Sequence, residues 1–242
     1  MESAKKEILK VIVGSKAHGL SDENSDTDYR GVYVLPTSDI LSLGYKYKGN
    51  DWTEGEVDNT AYELGHFLHL ALQCNPSILE VMVSEPVFFD RYGVGLRDLF
   101  PYVWSPKRAY DAFTGYSLNQ RKKMLDKKDQ RQNKWACAYI RTLYNLIDLL
   151  KTGRFYLKVE DRNRYVLLKQ LRAGDFQVGR VVDIAEGLME EASQLLTTAS
   201  NNQDIDKVNN FLIDVRYRHW TIDAYRHTDA ELDHVVELVK NS

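Results

Sequence analysis

The chain has 242 residues, 43% of them hydrophobic and 28% charged, an ordinary globular profile with room for one large core or two small ones. No apolar run approaches the roughly 20 residues of a membrane span, and the N-terminus lacks the layout of a secretory leader, so a cytoplasmic protein with no membrane partner is expected. The formal net charge of −3 conceals an asymmetry: residues 1–105 carry nine Lys/Arg against 16 Asp/Glu, residues 106–172 carry 17 against six, and residues 173–242 carry six against 13. A basic middle between acidic flanks is the pattern of a face for a polyanion. Cys74 and Cys137 sit far apart in apolar contexts and are expected to be reduced core residues. No Cys/His cluster has zinc-ligand spacing.

In chain order, "EILKVIVGS" reads as a buried strand ending at Gly14. Positions 16–29 are rich in turn formers and are expected to be loop, with space for one helical turn. "RGVYVLP" is a second strand, stopped by Pro36. Positions 37–56 are expected to form a variable loop. "VDNTAYEL" starts as a strand and passes into a helix with Leu64, Phe67, Leu68, Ala71 and Leu72 at helical spacing. Asn75-Pro76 ends that helix, "SILEVMV" starts another with Ser77 as its expected N-cap, and "PVFF" is a last short strand. Beyond Pro106 the pattern is helical: long amphipathic helices over 107–125 and 132–153, with Gly153 as a C-terminal stop, a mixed connector with a short helix over 155–174, further helices over 178–200 and 205–227, and a Thr228/Glu231 capping box for a short last helix. The expected division is a mixed α/β unit over 1–105 and an all-α unit over 106–242.

Chemistry concentrates near the first two strands. Gly14 lets another group approach the backbone closely, and Ser15 adds a hydroxyl, so together with the turn amides they suit a triphosphate tail. The spacing of a P-loop is absent. Asp26 and Asp28 fall at i and i+2, one face of an extended chain. Two carboxylates there repel unless a cation lies between them, and hard oxygen donors suit Mg²⁺ or Mn²⁺. Asp58 opens the next strand-like segment, and three carboxylates on adjacent strands can hold two ions for an in-line displacement at phosphorus. As isolated motifs, each of these also reads as a turn or cap.

Taken together, Gly14-Ser15, Asp26-x-Asp28 and Asp58 resemble the signature of the DNA polymerase beta-type nucleotidyltransferase superfamily. "SDTDYRGVYV", "YELGHFLHLALQCNPSILEVM" and "KWACAYIRTLYNLIDLLKTGRF" are similar to its branch associated with RNA repair, over roughly positions 8 to 180. The resemblance implies an α+β fold: an N-terminal nucleotidyltransferase fold, a mixed sheet with helices, followed by an all-α C-terminal domain. It implies an enzyme moving a nucleoside monophosphate from an NTP to an acceptor hydroxyl, with an RNA end favoured as acceptor. By the same resemblance Gly14 and Ser15 contact the nucleotide phosphates, and Asp26, Asp28 and Asp58 bind metal and are catalytic. His66, Cys74 and Tyr139 stand where that branch often has Lys, Gly and His, all outside the metal triad.

Around this core, Lys134 and Arg141 share a helix face with Ala138 and are candidate phosphate contacts. His18 and Arg30 are further nucleotide-binding candidates. Arg121, Lys122, Lys123, Lys127, Lys128 and Arg131, interleaved with Tyr116, Trp135 and Tyr139, suit single-stranded nucleic acid, or the aromatics are core. The basic region 107–172 is thus the expected contact for RNA or another polyanionic acceptor. His66 and His69 read as packing or surface residues. Transfer to a small molecule or protein side chain, and a non-catalytic nucleotide-binding module, are the competing readings.

Overall fold

The computed structural model describes residues 5–23, 25–43, 50–53, 59–126 and 128–220. Five strands form one mixed sheet: β1 Lys6–Val13, β2 Asp28–Val34, β3 Asn50–Thr53, β4 Asn59–Glu63 and β5 Pro86–Phe89, in the order β3-β4-β2-β1-β5. β1 is paired on both sides, antiparallel to β2 and to β5. Its β-branched and aliphatic residues suit that inner place: Ile8, Leu9, Val11 and Val13 are all buried. β4 runs parallel to β2, with Tyr29 opposite Asn59.

Short helices α1 Gly14–Ala17 and α2 Thr37–Leu41 follow β1 and β2, and α3 Leu64–Leu72, α4 Pro76–Val83 and α5 Arg91–Asp98 complete the N-terminal half. Then come α6 Pro106–Leu125, α7 Gln132–Thr152, α8 Arg162–Ala173 and α9 Val178–Leu196, with residues 205–220 helical as well. The mixed sheet with helices followed by a helical region is the expected fold class.

α7 organises the second half. Its apolar stripe, Ile140, Leu143, Leu146, Ile147 and Leu150, is buried, and α6, α8 and α9 pack against it. Gly153 ends it at φ +71°, donating its N–H to the Leu149 carbonyl at 2.9 Å, which is the left-handed cap that glycine adopts without a Cβ penalty. The C-terminal part of α7 reaches into the sheet's own core: Leu146, Ile147 and Leu150 cluster with Val11, Phe67, Leu79, Phe113 and Val215. A second cluster joins Leu20 to Met124, Tyr139, Ile140, Leu143 and Leu168. Apolar packing therefore runs unbroken across position 105.

Several local expectations change. The stretch 37–56, expected to be loop, contains α2 and β3. The cap of α4 is Asn75, whose side chain accepts from the Ser77 N–H at 3.0 Å. Pro76 is already the first helical residue, where its missing N–H is harmless, so the cap falls two residues before Ser77. α5 is capped by Asp90, which accepts from Tyr92 and Gly93 N–H at 2.8 and 3.0 Å. Only Asp28 of the Asp26/Asp28 pair lies in a strand; Asp26 precedes it. Asp58, Lys127 and the Thr228/Glu231 pair lie outside the described residues.

Candidate active site

β1 ends at Val13, and the chain turns sharply at Gly14, φ +72°. The turn is tied by His18 N–H to the Gly14 carbonyl at 3.1 Å and by Leu20 N–H to the Ser15 carbonyl at 2.9 Å. A Cβ on Gly14 would sit closer than 3.0 Å to Asp28 Oδ2. The absent side chain is therefore what lets the first residue of β2 bring its carboxylate against the turn. Lys16 donates to the Thr27 hydroxyl, fastening the turn to the segment carrying Asp26 and Asp28.

These groups open onto a cavity of about 580 Å³ between the sheet and the helical half. Gly14, Ser15, His18, Asp26, Asp28, Arg30, Lys134 and Arg141 all line it, so the described candidates for phosphate and metal contact meet at one place. Among the described residues no three His, Cys, Asp or Glu side chains converge as a metal-ligand set, and the third expected carboxylate, Asp58, is not among those residues. The oxygen donors at hand, Asp26 and Asp28 beside the Gly14 turn, fit a hard divalent cation.

Residues not singled out as site groups complete the wall. Glu80, on α4, reaches the cavity with 12% of its side chain exposed. Its Oε1 accepts from the Gly14 N–H at 3.4 Å and stands 3.0 Å from His18 Nε2. The imidazole N–H misses hydrogen-bond alignment, so that second contact is electrostatic. Burial pushes the Glu80 carboxyl up, but His18, Arg141 and the Gly14 N–H together hold it well below the usual carboxylate range. For His18, burial and then Arg141 lower the pKa, against Glu80. At neutral pH the pair is a carboxylate facing a neutral imidazole. The signal in the sequence was the Asn75-Pro76 cap, which sets the register of α4 and so the direction of Glu80.

From α6, Tyr116 and Gln120 line the cavity, and Tyr116 accepts a hydrogen bond from Ser77 Oγ at 3.2 Å. Trp135 lines it too, its indole N–H donating to Asp129 Oδ2 at 2.7 Å and its ring flanked by Lys123, Arg131 and Lys134. Tyr139, expected either in a nucleic-acid surface or in the core, is fully buried in the core. His66 packs on Tyr62, and His69 is exposed beside Gln73. Cys74 and Cys137 are free and buried. Cys74 has φ +57°, a left-handed backbone that explains why glycine is common there in the resembled branch. Among the described residues no helix is long and apolar enough to cross a membrane.

Comparison with known proteins adds three findings. A family model described as the RNA repair pathway DNA polymerase beta family matches residues 2–214. An uncharacterised 38.9 kDa protein of Enterobacteria phage T4 is 28% identical over 89 residues, covering 34% of this chain. The match spans only 26% of that protein's length. A crystal structure of a nucleotidyltransferase-like protein from Exiguobacterium sibiricum aligns over 87% of this chain and 73% of its own, at 11% identity and a TM-score of 0.28.

Proposed function

Since the chain belongs to the RNA repair pathway DNA polymerase beta family and is a nucleotidyltransferase of the polymerase beta type, we propose that it transfers a nucleoside monophosphate from an NTP to a hydroxyl at an RNA end, with divalent-metal assistance. The observation that carries this reading is the convergence of the Gly14-Ser15 turn, Asp26 and Asp28 with Lys134 and Arg141 of α7 on one cavity.

The roles follow from chemistry. The Gly14-Ser15 turn receives the triphosphate, and Lys134 and Arg141 balance its charge from the opposite wall. Asp26 and Asp28, with Asp58 as the third carboxylate, hold the metal, which when bound neutralises the phosphates and makes the acceptor hydroxyl easier to deprotonate. The acceptor oxygen bonds to the α-phosphorus, the bond to the β-phosphate oxygen breaks, pyrophosphate leaves, and the hydroxyl proton passes to solvent. No protein nucleophile is required, because positioning and charge stabilisation supply the rate. His18, neutral beside Glu80, orients phosphate oxygens, and Arg30 lies within reach of the same cavity. The basic region 107–172, with Trp135 at the cavity wall, guides the RNA. Two buried free cysteines suit a reducing, cytoplasmic setting.

The test is incubation with each labelled NTP, Mg²⁺ or Mn²⁺ and a pool of RNA. Label in RNA supports the reading. Label in a small molecule or in protein moves the acceptor to the competing class, and no metal-dependent label in any acceptor overturns it.

A further inference from the structure

A second cavity, of about 340 Å³, lies between α7, α8 and the extended segment joining them. Arg141 lines both cavities. Along α7 the positions 134, 138 and 141 face the first and 141, 144, 145 and 148 the second, so one helical stripe runs through both. The Val159 N–H donates to the His18 carbonyl at 3.2 Å, which makes the partition between the cavities a backbone contact with the nucleotide turn.

The lining is built for a neutral aromatic group. Arg164 is committed: its Nη1 donates to both Asp148 carboxylate oxygens at 2.8 Å, and its guanidinium lies 4.4 Å from the Tyr144 ring centre. The Asp161 carboxylate is likewise committed, capping α8 through the Arg164 N–H at 2.8 Å. Asn145, 5% exposed, sets an amide in the wall, and Tyr156, 45% exposed, stands at the mouth. Acids balance bases among the lining residues, which disfavours a polyanion, while the aromatic rings and the amide suit a flat heterocycle with polar edges. Arg141, on the shared wall, is placed for a single phosphate leading toward the first cavity.

We propose that this second cavity receives a nucleoside, its base against Tyr156 and Tyr144 and its phosphate directed to Arg141. The proposal rests on the first cavity holding phosphates. Two sources supply the same chemistry: the incoming NTP, or the terminal nucleotide of the RNA.

Calorimetric titration of the full chain with inorganic tripolyphosphate, with each NTP and with a short RNA oligonucleotide distinguishes them, using wild type, Tyr156→Ala and Tyr156→Phe. Tyr156→Ala is expected to weaken a nucleoside-bearing probe about tenfold, the scale of one lost base stack, while tripolyphosphate binding is unchanged and Tyr156→Phe restores affinity. Weakening confined to NTPs names the incoming nucleotide, and weakening confined to RNA names the acceptor end. The proposal is overturned if neither affinity changes, if tripolyphosphate weakens by the same factor, or if wild type binds neither NTP nor RNA. Tyr156-dependent binding in a chain that transfers nothing supports this proposal while overturning the catalytic reading.

Discussion

Asp28 Oδ2 lies within 3.0 Å of the point where a side chain on Gly14 would begin. The turn and the strand residue are thus a fitted pair: the backbone proposed to receive phosphate and the carboxylate proposed to hold metal approach each other only because position 14 lacks a Cβ.

Gly14→Ala tests that pairing. The substitution forces a Cβ against Asp28 and places an L residue at φ +72°, a left-handed conformation that costs about 1–2 kcal/mol. Displacing the carboxylate by even about 1 Å is expected to lower the transfer rate about 100-fold. Steady-state kinetics alongside thermal melting check both effects; full activity with unchanged stability would refute the fit.

Glu80 and His18 give a pH signature. The folded pKa of Glu80 is depressed from its ordinary 4.5 to about 2, so its contribution to stability is present above pH 4.5 and is lost as pH falls through that interval. His18 is also lowered from 6.5. Acidification below 6.5 protonates the unfolded chain first and again favours unfolding. Urea midpoints are therefore expected to fall steadily on acidification. The stability gap between wild type and Glu80→Gln should be widest near neutral pH and narrow as pH drops from 4.5 to about 2. A gap independent of pH would mean that the Glu80 charge plays no part.

At the cavity wall, Lys123 Nζ lies 4.4 Å from the centre of the Trp135 ring, whose indole is pinned to Asp129. If single-stranded RNA passes over this platform, Trp135→Ala should weaken its binding about tenfold, as the loss of one base stack does. Lys123→Gln should lower the slope of log affinity against log salt by about one. Filter binding at several salt concentrations reads both, and unaltered slope and affinity would send the RNA elsewhere.

Tyr139 is fully buried, yet its hydroxyl has no hydrogen-bond partner among the described residues. Such a group carries an uncompensated desolvation cost of about 1–3 kcal/mol. Tyr139→Phe keeps the ring and removes the cost, so it is expected to raise stability by about 1 kcal/mol or more with transfer activity unchanged. A destabilised variant would mean that the hydroxyl has a partner in solution.

Much of this was legible in the chain because it is local. The β-branched run before Gly14, the helical spacing of α7 and the stop at Gly153 follow from periodicity and backbone preference. The candidate residues Gly14, Ser15, Asp26, Asp28, Lys134 and Arg141 come from motif spacing weighted by the family resemblance, and only the fold shows them facing one cavity. What escaped depends on short elements or distant packing. α2 and β3 are five and four residues long, too short for a period to register. Asn75-Pro76 and Glu80 stand out as a stretch that recurs in the resembled branch, but Glu80 has no role until α4 packs beside β1 and sets it under Gly14 and His18. The second cavity needs α7, α8 and their connector assembled before its lining exists at all.

The central claim is that Asp26 and Asp28 hold the metal for transfer at the Gly14-Ser15 turn. It is tested most directly by the metal-dependent rate of labelled nucleotide transfer in Asp28→Asn, measured beside wild type and with circular dichroism as the control for folding. The substitution keeps size and shape and removes the charge. The expected result is a native spectrum with transfer lower by at least about 100- to 1000-fold, the scale of one lost electrostatic stabiliser. A folded Asp28→Asn protein transferring at the wild-type rate, with the same Mg²⁺ dependence, would contradict it.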